Sequence, residues 1–243
     1  MVLVDIGKYK KQIKIKQQNY DDSLSGCTGY CFIEENKIIK IYNRSYALSE
    51  VDNMSSYSSS RISFPIEYIK RMNRYYGEIM PYYNVSNILE SFKIKCDIDK
   101  LISNYFIIVN EMRKFPEIMM NDLSYPNILY DEEKGFYLID ITNWKIKKEL
   151  KSFDLSKINI GELNESIIYC FSELVSGEWY EDMWFLKVLD EKKENLYLNY
   201  KSIRYYDFIR IMDLYREKIL KRYNIDIKNI EDIKKSVKIL KKS

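Results

Sequence analysis

The chain has 243 residues and no histidine. Without an imidazole, Ser-His-Asp and Cys-His relays and every His-ligated metal site are excluded. Chemistry is left to carboxylates, amines, amides and hydroxyls, or to a metal held on oxygen. Cysteine is sparse. Cys27, Cys31, Cys96 and Cys170 form no C-x-x-C pair and do not make a disulfide scaffold, so a reduced, cytoplasmic setting is expected. No stretch approaches the roughly 20 apolar residues that span a bilayer. The first apolar run is broken at Asp5 and Lys8, so no signal peptide is expected. Charge of one sign is lacking too: 39 basic residues face 36 acidic ones, a net +3, which does not suggest a nucleic-acid partner held by bulk charge. Seven glycines and four prolines are few, and none of the prolines lies beyond Pro126.

Apolar residues make up 46% and charged residues 31%, a globular composition. The first third reads as strands. Residues 12–17 alternate as Gln-Ile-Lys-Ile-Lys-Gln, and apolar runs at Tyr30–Ile33 and Lys37–Tyr42 flank a turn at Glu34-Glu35-Asn36. A short helix is expected within Ser45–Tyr57, and further strands at Ile66–Ile69 and Glu78–Met80. From Asp97 to Phe115 the apolar spacing becomes helical. Two short strands follow at 128–130 and 136–139, turned by Lys134-Gly135. Beyond residue 150 the pattern is helical, at about 160–176, 181–195, 201–221 and 228–240. The expected fold class is α+β: a small β-rich lobe over residues 1–82, then a mainly helical lobe over 83–243.

The segment richest in chemistry is Asn121-Asp122-Leu123-Ser124-Tyr125-Pro126-Asn127-Ile128, followed by Phe136-Tyr137-Leu138-Ile139-Asp140. Asn127 stands at the start of the predicted hairpin and Asp140 just past its end, so both are expected to face one cleft. An amide oxygen plus a carboxylate suits Mg²⁺, a hard cation that keeps waters and binds phosphate oxygens. Asp122, on the loop before the hairpin, is placed to receive or orient a hydroxyl proton.

An Asp, an Asn five residues on, and an Asp after a short hairpin resemble the catalytic loop and metal site of the protein-kinase-like superfamily. Ser25-Gly26-Cys27-Thr28-Gly29 resembles its glycine-rich phosphate loop, with Gly26 and Gly29 at two of the glycine positions. Lys40 looks like the strand lysine that contacts the α- and β-phosphates. The resemblance implies a bilobal kinase-like fold and an ATP- and Mg²⁺-dependent phosphotransferase. Gly26 and Gly29 would cover the nucleotide, Lys40 would clamp it, Asn127 and Asp140 would hold the metal, and Asp122 would serve the acceptor. Glu50 is the candidate for the helix glutamate that pairs with the lysine. Tyr76–Tyr83 resembles the hinge that binds adenine, with Glu78 and Met80 offering backbone groups.

The sequence also departs from that pattern. Met120 and Asn121 stand where the family's loop has His-Arg or His-Gly, with Met120 in place of the histidine. Asp-Phe-Gly appears as Asp140-Ile141-Thr142, and no Ala-Pro-Glu follows. The reading is therefore an atypical, minimal Ser/Thr-type protein kinase acting on a protein hydroxyl. The alternatives are a small-molecule phosphotransferase resembling aminoglycoside and choline kinases, and a non-catalytic pseudokinase that engages a partner.

Overall fold

A computed structural model describes residues 2–5, 12–15, 29–147, 152–176 and 207–240. The architecture is mixed α+β, with strand clusters toward the N-terminus and helices toward the C-terminus. The chain divides into two compact units: Met1–Asn84 with Ile139–Lys145, and Val85–Leu138 with Ile146–Ser243. Sequence order places residues 139–145 with the helical part; chain contacts place them with the strands.

In the first unit β1 (Val2–Asp5) and β2 (Gln12–Ile15) form an antiparallel hairpin. A four-stranded antiparallel sheet follows: β3 (Gly29–Glu34), β4 (Lys37–Ala47), β5 (Glu67–Arg71) and β6 (Arg74–Pro81), in the order β3-β4-β6-β5. Glu34 pairs with Lys37 around a tight turn in which Glu35 takes φ 55°. Alternation sorts the side chains. Phe32, Ile39 and Ile69 pack on one face with Ile41 and Ile79. Tyr42, Val51, Tyr68 and Tyr75 form a second cluster with Tyr46. One rung crosses all four strands as Cys31–Lys40–Glu78–Tyr68. Directly opposed residues point to the same face, so a cation and an anion meet there inside an otherwise apolar sheet. Beside this rung β6 runs very close to β4, because a Cβ on Gly77 would collide with the Lys40 carbonyl oxygen.

The helix expected within Ser45–Tyr57 does not form. β4 continues to Ala47, and residues 48–66 are turn and loop around the buried Met54, Ile62 and Phe64. Local side chains satisfy the backbone here. Asn53 Oδ1 accepts from the Ser55 N–H at 3.1 Å, and Ser59 Oγ accepts from Arg61 and Ile62, both at 3.0 Å. Such bonds compete with helical ones.

In the second unit α1 (Ile88–Ile94) and α2 (Ile98–Met112) start at Asn87 and Asp97, whose side chains accept from Glu90 and Lys100 N–H groups. The hairpin β8 (Ile128–Asp131) and β9 (Gly135–Leu138) lies after a two-residue strand, β7 (Ile118–Met119). Gly135 takes φ 84°, and Asp131 Oδ1 accepts from the N–H groups of Glu133 and Lys134, which closes the turn. α3 (Ser152–Ser176), α4 (Asp207–Tyr223) and α5 (Ile230–Leu240) complete it. The helix expected at 181–195 lies outside the described residues. Rings of Phe92, Tyr130, Phe136 and Phe171 interlock at centroid distances of 4.6–5.4 Å, joining α1, the hairpin and α3. No helix among the described residues is long and apolar enough to cross a membrane.

Candidate functional site

The first unit holds a buried charged cluster centred on Lys40. Its side chain reaches Asp140, one hundred residues along the chain, and forms an ion pair with Oδ1. The same ammonium donates to Thr142 Oγ1 at 3.1 Å. The Thr142 hydroxyl lies 2.7 Å from Glu78 Oε1 and 3.0 Å from Asp140 Oδ1. With one proton it donates to one carboxylate at a time while it accepts from Lys40. Lys40 and Glu78 are 4% and 0% exposed, whereas the Asp140 side chain keeps 33% of its surface open.

Backbone shape puts Asp140 there. After β9 it turns left-handed, at φ 53° and ψ 60°, and enters a 3-10 turn over Ile141–Asn143. Ile141 and Trp144 anchor that turn in the interior, and the Trp144 ring stacks edge-on to Phe64 at 6.3 Å. A left-handed residue with a Cβ costs about 1 kcal/mol, so the surroundings must hold it in place. Here the hold comes from Lys40 and Thr142.

The electrostatics separate the three charged groups. Burial opposes the charge on Lys40, but Asp140 and Glu78 outweigh it and hold the ammonium's pKa above its ordinary value. Burial pushes the Glu78 carboxyl up, against the opposing pull of Lys40 and Thr142. The hydroxyls of Tyr42 and Tyr68 are pushed up as well, first by burial and then by Glu78. Glu78 Oε2 and the Tyr42 hydroxyl are both buried as neighbours, with no fully formed hydrogen bond between them.

The second unit holds the Asp122 loop. Asp122 also takes positive φ, 60°. Its Oδ1 accepts from the Ser124 hydroxyl at 3.0 Å, and its carbonyl accepts from the Asn127 amide at 3.0 Å. The loop is fastened from α3. Asn159, 3% exposed, accepts from the Met120 N–H at 2.9 Å and donates to the Ile118 carbonyl at 2.8 Å, and the Ser166 hydroxyl donates to the Leu123 carbonyl. Met120, at the position of the missing histidine, is buried. Sequence reading missed Asn159 and Ser166, because this helix carries polar residues throughout and nothing in the sequence marks which of them face inward. Replacing Asn159 with Leu strands a buried N–H and a buried carbonyl. A loss of about 2–4 kcal/mol is expected in denaturant unfolding.

The other expected site residues fall as follows. Gly26 lies outside the described residues. Gly29 opens β3 opposite Tyr42, and a Cβ there would strike the Ile41 carbonyl. Glu50 does not meet Lys40. It sits in the turn after β4, where its carboxylate accepts from the Ala47 N–H and its own carbonyl accepts from Lys145, each at 2.5 Å. Without the expected helix nothing carries it inward. The stretch expected as a hinge is largely strand β6. Glu78 lies mid-strand, paired with Lys40 on one side and Tyr68 on the other, so its side chain is what it offers. Met80 is buried in β6 opposite Ile38.

Among the described residues no group of three or more Cys, Asp or Glu side chains forms a metal cage. Compared with known proteins, the chain matches no family model and no curated sequence.

Proposed function

We propose that the chain is an ATP- and Mg²⁺-dependent phosphotransferase of protein-kinase-like, bilobal fold, an atypical minimal protein kinase acting on a hydroxyl. The observation that carries this reading is the buried Lys40–Asp140 ion pair. It joins the two residues to which the resemblance gives the phosphate clamp and the metal, across one hundred residues of chain. Backbone strain adds support. Five non-glycine residues have positive φ among the described residues. Glu35 and Met72 lie in tight turns between paired strands, and Asn224 follows a helix end. The other two are Asp122 and Asp140, and strained residues cluster at functional sites.

The resemblance gives the metal to Asp140 and Asn127, and each keeps an oxygen within its own unit. No described residue bonds Asp140 Oδ2, and Asn127 uses its amide nitrogen on Asp122 and so keeps Oδ1 for another partner. A carboxylate and an amide oxygen are donors of the kind Mg²⁺ takes, since it uses few protein ligands and completes its shell with water and phosphate oxygens. Bound there, the ion would neutralise charge on the phosphates. Lys40 holds the phosphates, and Asp122 orients the acceptor hydroxyl and receives its proton.

The test is transfer of label from γ-labelled Mg-ATP to the chain itself, to lysate proteins and to small hydroxyl compounds, with thermal stabilisation by Mg-ATP measured alongside. Transfer that is lost in Asp140→Ala is the expected result. Nucleotide binding without transfer would move the protein to a non-catalytic binding role. An Asp140→Ala protein with the parent turnover would reject the site.

A further inference from the structure

Lys40 serves phosphoryl transfer only if its ammonium is held in one place. The resemblance gives that task to a helix glutamate, and the residues between Ala47 and Glu67 form no helix. Two other side chains stand at Lys40. Glu78 faces it across the β4–β6 ladder, and Thr142 bridges them, 3.1 Å from the lysine and 2.7 Å from the glutamate. Asp140 also holds Lys40, but it is partly open and is the carboxylate the proposed reaction assigns to the metal.

Glu78 is an expensive residue for its position. It has no exposed surface, and its Oε2 has only the neighbouring Tyr42 hydroxyl, without a fully formed hydrogen bond. An apolar side chain, as at Ile79 and Met80, would pack in the strand at lower cost. Stability therefore does not explain the acid, whereas its position beside Lys40 does. Thr142 is equally specific: it occupies the third position of Asp140-Ile141-Thr142, and its hydroxyl touches both Lys40 and Glu78.

We infer that Glu78 and Thr142 are the positioning residues of Lys40, a strand-borne acid and a hydroxyl bridge that together replace the helix glutamate. The purpose of Lys40 rests on the phosphotransferase reading; the way it is held does not. The pair also accounts for two departures in one arrangement, the lack of an acid-bearing helix and the threonine in place of the metal motif's glycine.

The test uses the full chain without nucleotide. Trace acetylation of Lys40 is followed by peptide mass spectrometry in the parent, Glu78→Gln, Thr142→Val and Thr142→Ser. Alkylation of Cys31 is the control, because it is buried on β3 directly opposite Lys40 and becomes reactive only if the sheet opens. Lys40 labelling is expected to rise about 10-fold in Glu78→Gln and Thr142→Val with Cys31 still protected, and to stay at the parent rate in Thr142→Ser. In the transfer assay the same two variants should lose about 10²-fold in kcat with little change in the nucleotide KM. Unchanged Lys40 labelling in both variants would overturn the inference, and so would labelling that rises only in step with Cys31. Faster Lys40 labelling in a protein whose parent form transfers no phosphate would leave the positioning intact and overturn the phosphotransferase reading instead.

Discussion

An Asp122→Asn protein should lose phosphoryl transfer by about 10²–10⁴-fold, the usual contribution of a placed general base, and keep the parent melting temperature. The geometry separates the two effects. Asp122 is exposed, so its carboxylate contributes nothing to packing. Asparagine tolerates positive φ at least as well as aspartate, and its Oδ1 can still accept from Ser124. What it cannot do is take a proton. Asp122→Gly sharpens the test, because glycine adopts φ 60° without steric cost. That variant should be inactive and melt no lower than the parent. A residue held in strain for its chemistry gives this combination; a structural residue would lower the melting temperature in both variants. Near-parent transfer by Asp122→Asn would remove Asp122 from the mechanism.

The second large effect is on stability as well as activity. Lys40→Met removes the cation from a cluster that holds two carboxylates and keeps the stem's volume. Breaking a buried pair in this way costs about 3–5 kcal/mol, and the low end is expected because Asp140 is partly open to water. For a chain of this size about 3 kcal/mol lowers the melting temperature by roughly 6–12 °C. The loss should shrink as the solution is acidified, since burial already pushes the Glu78 carboxyl up and its protonated form no longer needs the ammonium. Transfer should fall along with the stability, and Mg-ATP should no longer stabilise the fold. A Lys40→Met protein as stable as the parent at neutral pH would mean that the ion pair is not formed in solution.

Much of the architecture was legible because period and punctuation agreed. Alternation around Glu34-Glu35-Asn36 located β3 and β4, Lys134-Gly135 located the β8–β9 turn, and the apolar spacing from Leu101 to Met112 located α2. The stretch after β4 misled because tyrosine, serine and asparagine carry no period, and their side chains bind the local backbone. Lys40 and Asp140 were singled out by their resemblance to a family pattern, and the structure brings their side chains together. Glu78 was read for its backbone, and its side-chain place opposite Lys40 and against Thr142 went unforeseen, although a signal was present. An acid lies in the middle of the apolar run Tyr75–Met80, a lysine lies in the middle of Ile38–Tyr42, and antiparallel pairing of those runs puts the two charges opposite each other. Asn159 was harder to see. Its helix of 25 residues carries two asparagines, and from sequence each reads the same whether it faces water or a buried partner.

The order of the chain has a consequence for synthesis. Lys40 and Glu78 leave the ribosome long before Asp140 and Thr142, their partners in the same unit. At about 5–20 residues per second, the hundred residues between Lys40 and Asp140 take roughly 5–20 s to make. Through that interval the inner rung of the nascent sheet carries Lys40 and Glu78 without Asp140 and without the Thr142 bridge between them. The sheet can finish folding only after the second unit's hairpin has been made. A fragment ending at Asn84 should therefore remain soft and protease-sensitive, and adding a peptide spanning residues 139–145 should firm it.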